Sequence, residues 1–143
     1  GVQTCALPIS SFDPHAYNAV HWDGTRWELK RIGNQGGWPC RTVFAFSEND
    51  VWFEGVIKWD GSKYTVHKNG WPLLPNGDGW QVNKMWGSSS NDLYAVGNGG
   101  NIAHWDGSSW KKIESGTEMT LTSIYPYKDE EVLVSGLSFS LVT

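Results

Sequence analysis

The chain has 143 residues, one domain's length, and a formal net charge of −4 from 11 basic and 15 acidic residues. The basic residues form no run, which argues against a nucleic-acid surface, where clustered Lys and Arg are needed. No apolar stretch approaches the length of a membrane span.

Ten Trp and 17 Gly, with few helix-favouring stretches, point to β-structure joined by tight turns. In chain order, residues 1–9 (G-V-Q-T-C-A-L-P-I) resemble the in-frame translation of a sequencing-library adapter and are set aside from fold reasoning. Cys5 goes with them, and Cys40 alone does not report a redox compartment. Strands are expected at 19–22 and 27–32 around the turn Asp23-Gly24, followed by an irregular link at 33–40. Four strands follow at 42–46, 51–54, 56–59 and 64–67, then a long link at 68–81. Four more lie at 82–86, 93–96, 102–105 and 110–114. Two complete the series at 121–125 and 132–135, with 138–143 expected to form a further strand.

The series is a repeat. Seven residues after Val43, Met85 and Ile124 come Asp50, Asp92 and Glu131, and five further on sit Gly55, Gly97 and Gly136. The copies are offset by 42 and 39 residues. A second anchor, W-D-G-x-x-aromatic, occurs at Trp22-Asp23-Gly24, Trp59-Asp60-Gly61 and Trp105-Asp106-Gly107. Turn-sized links favour antiparallel meanders.

Polarity changes across the four strands of each copy. The second is nearly all apolar, and the first carries apolar pairs such as Met85-Trp86, which implies burial on both faces. The third admits one polar position, filled by His21, Lys58 or His104. The fourth alternates, as in W-E-L-K-R-I, and reads as half exposed. Sheets with the driest strand at a hub and the wettest at a rim are expected of β-propeller blades. The expected fold is therefore all-β, an incomplete β-propeller with two full four-stranded blades plus partial blades at each end. The partial blades are 10–35 and 120–143, and the full ones 41–68 and 81–115. Such an open arc, with unpaired outer faces, is not expected to be monomeric. A two-sheet sandwich is the competing fold, disfavoured by the fixed repetition.

The segment W-G-S-S-S-N-D-L-Y-A-V-G-N-G-G-N-I-A-H-W-D-G-S-S-W, from Trp86 to Trp110, resembles the blades of bacterial, exported β-propeller repeat proteins of the Asp-box and WD-repeat-like superfamilies. No Gly-His dipeptide precedes the W-D here, and Gly follows Asp directly, unlike either parent motif. The resemblance implies an extracellular, cell-surface or periplasmic location and further blades of the same chain.

The repeat anchors have structural readings. Asp23, Asp60 and Asp106 suit tight turns with Gly24, Gly61 and Gly107 at positive φ. Trp22, Trp59 and Trp105 are expected to pack between sheets. Asp50, Asp92 and Glu131 are placed to accept from loose backbone N–H groups. Function is expected where the copies differ, in the links at 33–40, 68–81 and 97–101. There Trp38, Trp71, Trp80, Asn98 and Asn101 are the candidate ligand-binding residues, since aromatic rings beside amides suit a sugar or a peptide. The competing reading has Trp71 and Trp80 plug the scaffold. Phosphate-binding, zinc and nucleophile-elbow motifs are absent, so no catalytic residue, metal or cofactor is expected. The leading expectation is a non-catalytic module binding glycan or protein. A scaffold for another domain and a fragment of a carbohydrate-active hydrolase or lyase are the alternatives.

Overall fold

The computed structural model describes residues 17–33, 40–128 and 131–137. Residues 1–9, Trp38 and the strand expected at 138–143 lie outside the described residues. The chain divides into two compact units, Gly1–Cys40 and Arg41–Thr143. It is all-β, with four antiparallel sheets, none of them closed. Among the described residues no helix is long and apolar enough to cross a membrane.

The first unit holds a hairpin of β1 (Ala19–Trp22) and β2 (Trp27–Lys30), with Trp22 opposite Trp27. The second begins with a meander of β3 (Val43–Ser47), β4 (Asp50–Phe53), β5 (Ile57–Trp59) and β6 (Tyr64–Val66). A second meander follows, of β7 (Val82–Ser89), β8 (Asp92–Gly97), β9 (Ile102–Trp105) and β10 (Trp110–Ile113). A hairpin of β11 (Thr120–Lys128) and β12 (Glu131–Leu137) ends the unit.

Each strand lies within a residue or two of where its apolar pattern placed it, but β7 and β11 run past their apolar stretch. In β7 the ladder continues through Gly87 and Ser89, opposite Leu93 and Asp92, across an irregularity in register. Main-chain pairing needs no apolar side chain, so the polar turn is shorter than the sequence pattern shows. In β11, Pro126 sits opposite Val132. Among the described residues that strand has a partner on one flank only, where the missing N–H of Pro is tolerated.

The three Trp-Asp-Gly corners share one construction. Oδ1 of Asp60 accepts from the Ser62 amide at 2.9 Å, the Ser62 hydroxyl at 2.8 Å and the Lys63 amide at 2.9 Å. Asp23 does the same with Thr25 and Arg26, and Asp106 with Ser108 and Ser109. Gly24, Gly61 and Gly107 adopt φ of 100°, 93° and 93°, a region a side chain rarely enters. These bonds favour the ionised form. Asp60 is lowered to about 2 by the Lys63 amide, then by Ser62. Asp23 is lowered to about 2 by the Thr25 hydroxyl and the Arg26 amide. Asp106 is lowered chiefly by the Lys111 ammonium, 2.7 Å from Oδ2.

Within the second unit the sheets stack face to face. Phe44, Phe46 and Trp52 of the first sheet join one core cluster with Met85, Leu93, Ala95, Ala103, Trp105 and Trp110 of the next. Trp52 is wholly buried, its ring 5.5 Å from that of Trp105 and 6.1 Å from that of Trp110. The opposite face of the second sheet carries Trp86, Tyr94, Val96 and Ile102, which pack with Leu121, Ile124, Val132 and Val134 of the last hairpin. Alternation along β8 and β9 thus supplies both joints, Leu93, Ala95, Ala103 and Trp105 to one neighbour and Tyr94, Val96 and Ile102 to the other. A fully buried Trp or Phe contributes on the order of 3–5 kcal/mol by the cost of truncating it.

In the two four-stranded sheets the driest strand is the second, β4 or β8, and not the first, which was expected to line the hub. In β3, Val43 is exposed while Trp52 of β4 is wholly buried. The first strand is an edge, bonded on one flank, whereas the second has neighbours on both flanks and on at least one face. Trp105 packs between sheets as expected, but Trp59 lies half-buried against Tyr64, ring centroids 4.8 Å apart, and Trp22 is exposed beside Trp27.

Candidate functional site

The acidic anchors pair across the sheet. Asp92 accepts from His104 Nε2 at 2.7 Å and from the Ser88 hydroxyl, and His104 stacks on Tyr94 with centroids 4.3 Å apart. Burial pushes the Asp92 carboxyl up, but the bonds from Ser88 and His104 outweigh it and leave the group below its ordinary value. One repeat earlier, Lys58 Nζ lies 3.1 Å from Asp50 Oδ1 as an ion pair. The same ammonium sits 5.3 Å over the Trp52 ring and donates to Ser90 of the next sheet at 2.8 Å. An acid, a basic side chain and an aromatic ring thus recur as one unit, and between the two meanders it ties one sheet to the next. Glu131 begins β12, opposite Lys128. The Ser88 backbone amide also helps to lower the Asp92 carboxyl, which is the role expected of these acids as acceptors for backbone amides. The side-chain partner on the third strand was missed because it depends on register.

The link at 68–81 is a folded plug. The Trp71 amide donates to Lys68 O at 3.0 Å, and the Leu74 and Gly77 amides close the tip onto Asp78 O and Leu74 O at 2.8 Å each. Asn76 and Asp78 bond each other at the tip, side chain to side chain at 2.8 Å. Trp71 and Trp80 stack with centroids 5.0 Å apart and planes 5° apart, and Trp110 meets the Trp71 ring edge-on at 4.8 Å. The Trp80 indole donates to Pro72 O at 3.0 Å. Trp80 is 6 % exposed and belongs to the inter-sheet core, whereas Trp71 is half-buried.

Two repeat glycines explain how the rings get so close. A Cβ at Gly55 would stand 2.5 Å from Trp71 Cη2, and one at Gly97 would stand 2.7 Å from Trp80 Cε3 and overlap Gln81 O. In each of the two meanders, the repeat glycine after or at the end of the second strand is therefore the floor for a link tryptophan.

The link at 97–101 is stitched to its neighbours. Asn98 Oδ1 accepts from the Gln81 amide at 2.8 Å, and the Asn98 amide donates to Gln81 O at 3.2 Å. Asn101, 8 % exposed, donates its side-chain amide to Asn98 O at 2.7 Å. The Gly100 amide reaches Met119 O in the following link at 2.8 Å. The fold thus brings Trp71, Trp80, Asn98 and Asn101 into one connected patch through Gln81, with Trp38 outside the described residues. Trp80 and Asn101 face inward. The solvent-facing part of the patch is the tip itself, where Leu73, Asn76, Asp78 and Gln81 are exposed. Sequence reasoning passed over Leu73 and Asn76, whose signal was their position between Pro72 and Gly77.

Among the described residues no three His, Cys, Asp or Glu side chains converge as a metal cluster would require. No protein-family model, curated protein or solved structure matches the chain.

Proposed function

We propose that the chain is part of a β-propeller that serves as a non-catalytic binding module for glycan or protein at an extracellular, cell-surface or periplasmic location. Sideways stacking of meandering four-stranded sheets in a single repeat register supports the propeller. The observation that carries the binding reading is the 68–81 link, where the Trp71–Trp80 stack, anchored in the core, holds out an exposed tip. The tip mixes an apolar side chain, Leu73, with the amide and carboxylate groups of Asn76 and Asp78. A loop of that kind on a rigid support is suited to recognition. Glycoside hydrolysis takes two carboxylates across the scissile bond, and this link carries one acid, Asp78.

A second reading has its own observation. Trp80 is buried and the Asn98 and Asn101 side chains are engaged in stitching the links, so the patch would serve only to rigidify a scaffold for a neighbouring domain. The double variant Leu73→Ser, Asp78→Asn separates the two, because both side chains are exposed. On a glycan array and a displayed-peptide library, the binding reading expects retention by the parent chain, loss by the variant and an unchanged melting temperature. No retention by the parent, or equal retention by both, would leave the scaffold reading standing.

A further inference from the structure

Trp52, Lys58, Thr65 and His67 share one face of the first meander. Trp52 lies opposite Lys58 and Lys58 opposite Thr65, and His67 follows Thr65 by two residues, which keeps it on the same side. This face meets the second sheet. The His67 ring stands 5.2 Å from that of Trp52 and 5.4 Å from that of Trp105, so an imidazole is part of the joint between the meanders. The link to the next sheet also begins here. The His67 amide donates to Val56 O at 2.7 Å, and its carbonyl accepts from the Trp110 indole at 3.0 Å. The Trp110 amide donates to Asn69 O at 2.8 Å, and the Asn69 side chain to Ser108 O at 3.2 Å. Residues 67–69 thus clamp the root of the link onto β10.

The neutral imidazole suits this place and the protonated one does not. Thr65 Oγ1, 2.9 Å from Nε2, is an uncharged partner. The charged neighbour within the first meander is Lys58, whose ammonium already stands 5.3 Å over the Trp52 ring. Asp50 is engaged by that same ammonium. On the second sheet, Lys112 lies on the side of Trp110 by alternation and pairs with Glu114 at 2.8 Å. His104 and Asp92 bond each other on the opposite face, and Lys111 reaches Asp106. The link adds Lys68, exposed to solvent, and Asp78, bonded to Asn76 at the tip. Among the described residues no carboxylate forms an ion pair with His67. Burial, and then the Lys58 charge, hold the imidazole below its ordinary value of 6.5.

We propose that His67 is an acid-operated latch: its protonation sets a second cation beside Lys58 at the joint, loosens the first meander from the second and releases the root of the 68–81 link. A cation over an aromatic face is ordinarily attracted to it, but the Trp52 ring already serves Lys58, and two like charges there oppose each other. Release reaches the link through the main chain. The His67 carbonyl holds the Trp110 indole, and Trp110 stands edge-on to Trp71 at 4.8 Å, so loosening at His67 is felt by the Trp71–Trp80 stack. A histidine depressed in the fold binds its proton more tightly once the joint opens. The joint is therefore firmest above pH 6.5 and weakens as pH falls from there to the folded value. That window opens well above the one in which the corner aspartates titrate. The latch does not need the ligand-binding reading.

Nuclear magnetic resonance on the whole chain, titrated from about pH 7.5 to about 4.5, follows the His67 ring and the exchange protection of the Trp110 indole together. The ring should titrate with a midpoint below 6.5. The protection factor, corrected for intrinsic exchange, should fall by up to about tenfold per pH unit from 6.5 down to that midpoint. Amides paired between β11 and β12 should keep their protection over the same range. In His67→Gln, which cannot take the proton, the Trp110 indole should stay protected throughout, and in Lys58→Met the His67 midpoint should rise. The titration of the parent needs no variant, so it decides the matter even if His67→Gln fails to fold. A His67 ring that titrates at 6.5 or above, or a Trp110 protection that stays level through the midpoint, would overturn the latch. An equal fall in His67→Gln, or an equal loss in the β11–β12 amides, would overturn it too.

Discussion

At the scale of the residue, the corner aspartates carry the clearest chemistry. Each accepts three hydrogen bonds on a single oxygen, which lowers Asp23 and Asp60 from 3.8 to about 2. A carboxylate whose folded value is depressed stabilises the fold fully above its unfolded value, and that contribution disappears as pH falls through the folded one. Acid should therefore lower the melting temperature mainly between pH 3.8 and about 2. In Asp60→Asn, which keeps an acceptor oxygen but has no charge to titrate, the decline over that window should be shallower than in the parent. A parent and variant with parallel pH profiles would show that the corner bonds do not favour the ionised form. The Asp-Gly pair of each corner was legible because turn chemistry is local. The hydroxyl that follows was not, since Thr25, Ser62 and Ser108 differ in type and their shared hydroxyl matters only once the turn closes on the carboxylate. The pairing of Asp92 with His104 was hidden for another reason: it joins two strands, and only the register sets them side by side.

At the scale of the element, strands were readable and links were not. A short apolar run bounded by turn residues on both sides leaves little freedom in where β4 or β8 must lie. The link tryptophans carry no such period. An aromatic ring beside Pro and Asn reads equally as a ligand platform or a plug until the surface beneath it is known. That surface is a glycine, and Gly97 offers a direct measurement. Its backbone is extended (φ −165°), so alanine there costs nothing in conformation but drives a methyl into Trp80 and Gln81. Gly97→Ala should lose about 1–3 kcal/mol by overpacking, whereas Gly79→Ala, with open space around it and no positive φ, should be neutral or gain up to about 1 kcal/mol. Urea unfolding of both variants checks this. Equal stability of the two would remove the plug.

At the scale of the whole molecule, one face of each sheet is made to meet the other face of the next. The second sheet has both faces covered, by Trp52 on one side and by the Leu121–Ile124 cluster on the other. This arrangement predicts that in hydrogen exchange β8 is the slowest strand of the second sheet and the edge strands β7 and β10 the fastest. The repeat made the stacking legible, because two interleaved anchors at a common offset leave few ways to bury the second strand of every copy.

The stacking of one sheet on the next is tested most directly by nuclear Overhauser contacts of the Trp52 indole in the selectively labelled chain. With ring centroids 5.5 Å from Trp105 and 6.1 Å from Trp110, Trp52 should show cross-peaks to both, linking residues of the first meander to the third and fourth strands of the second. Cross-peaks from Trp52 confined to its own sheet would contradict the stack.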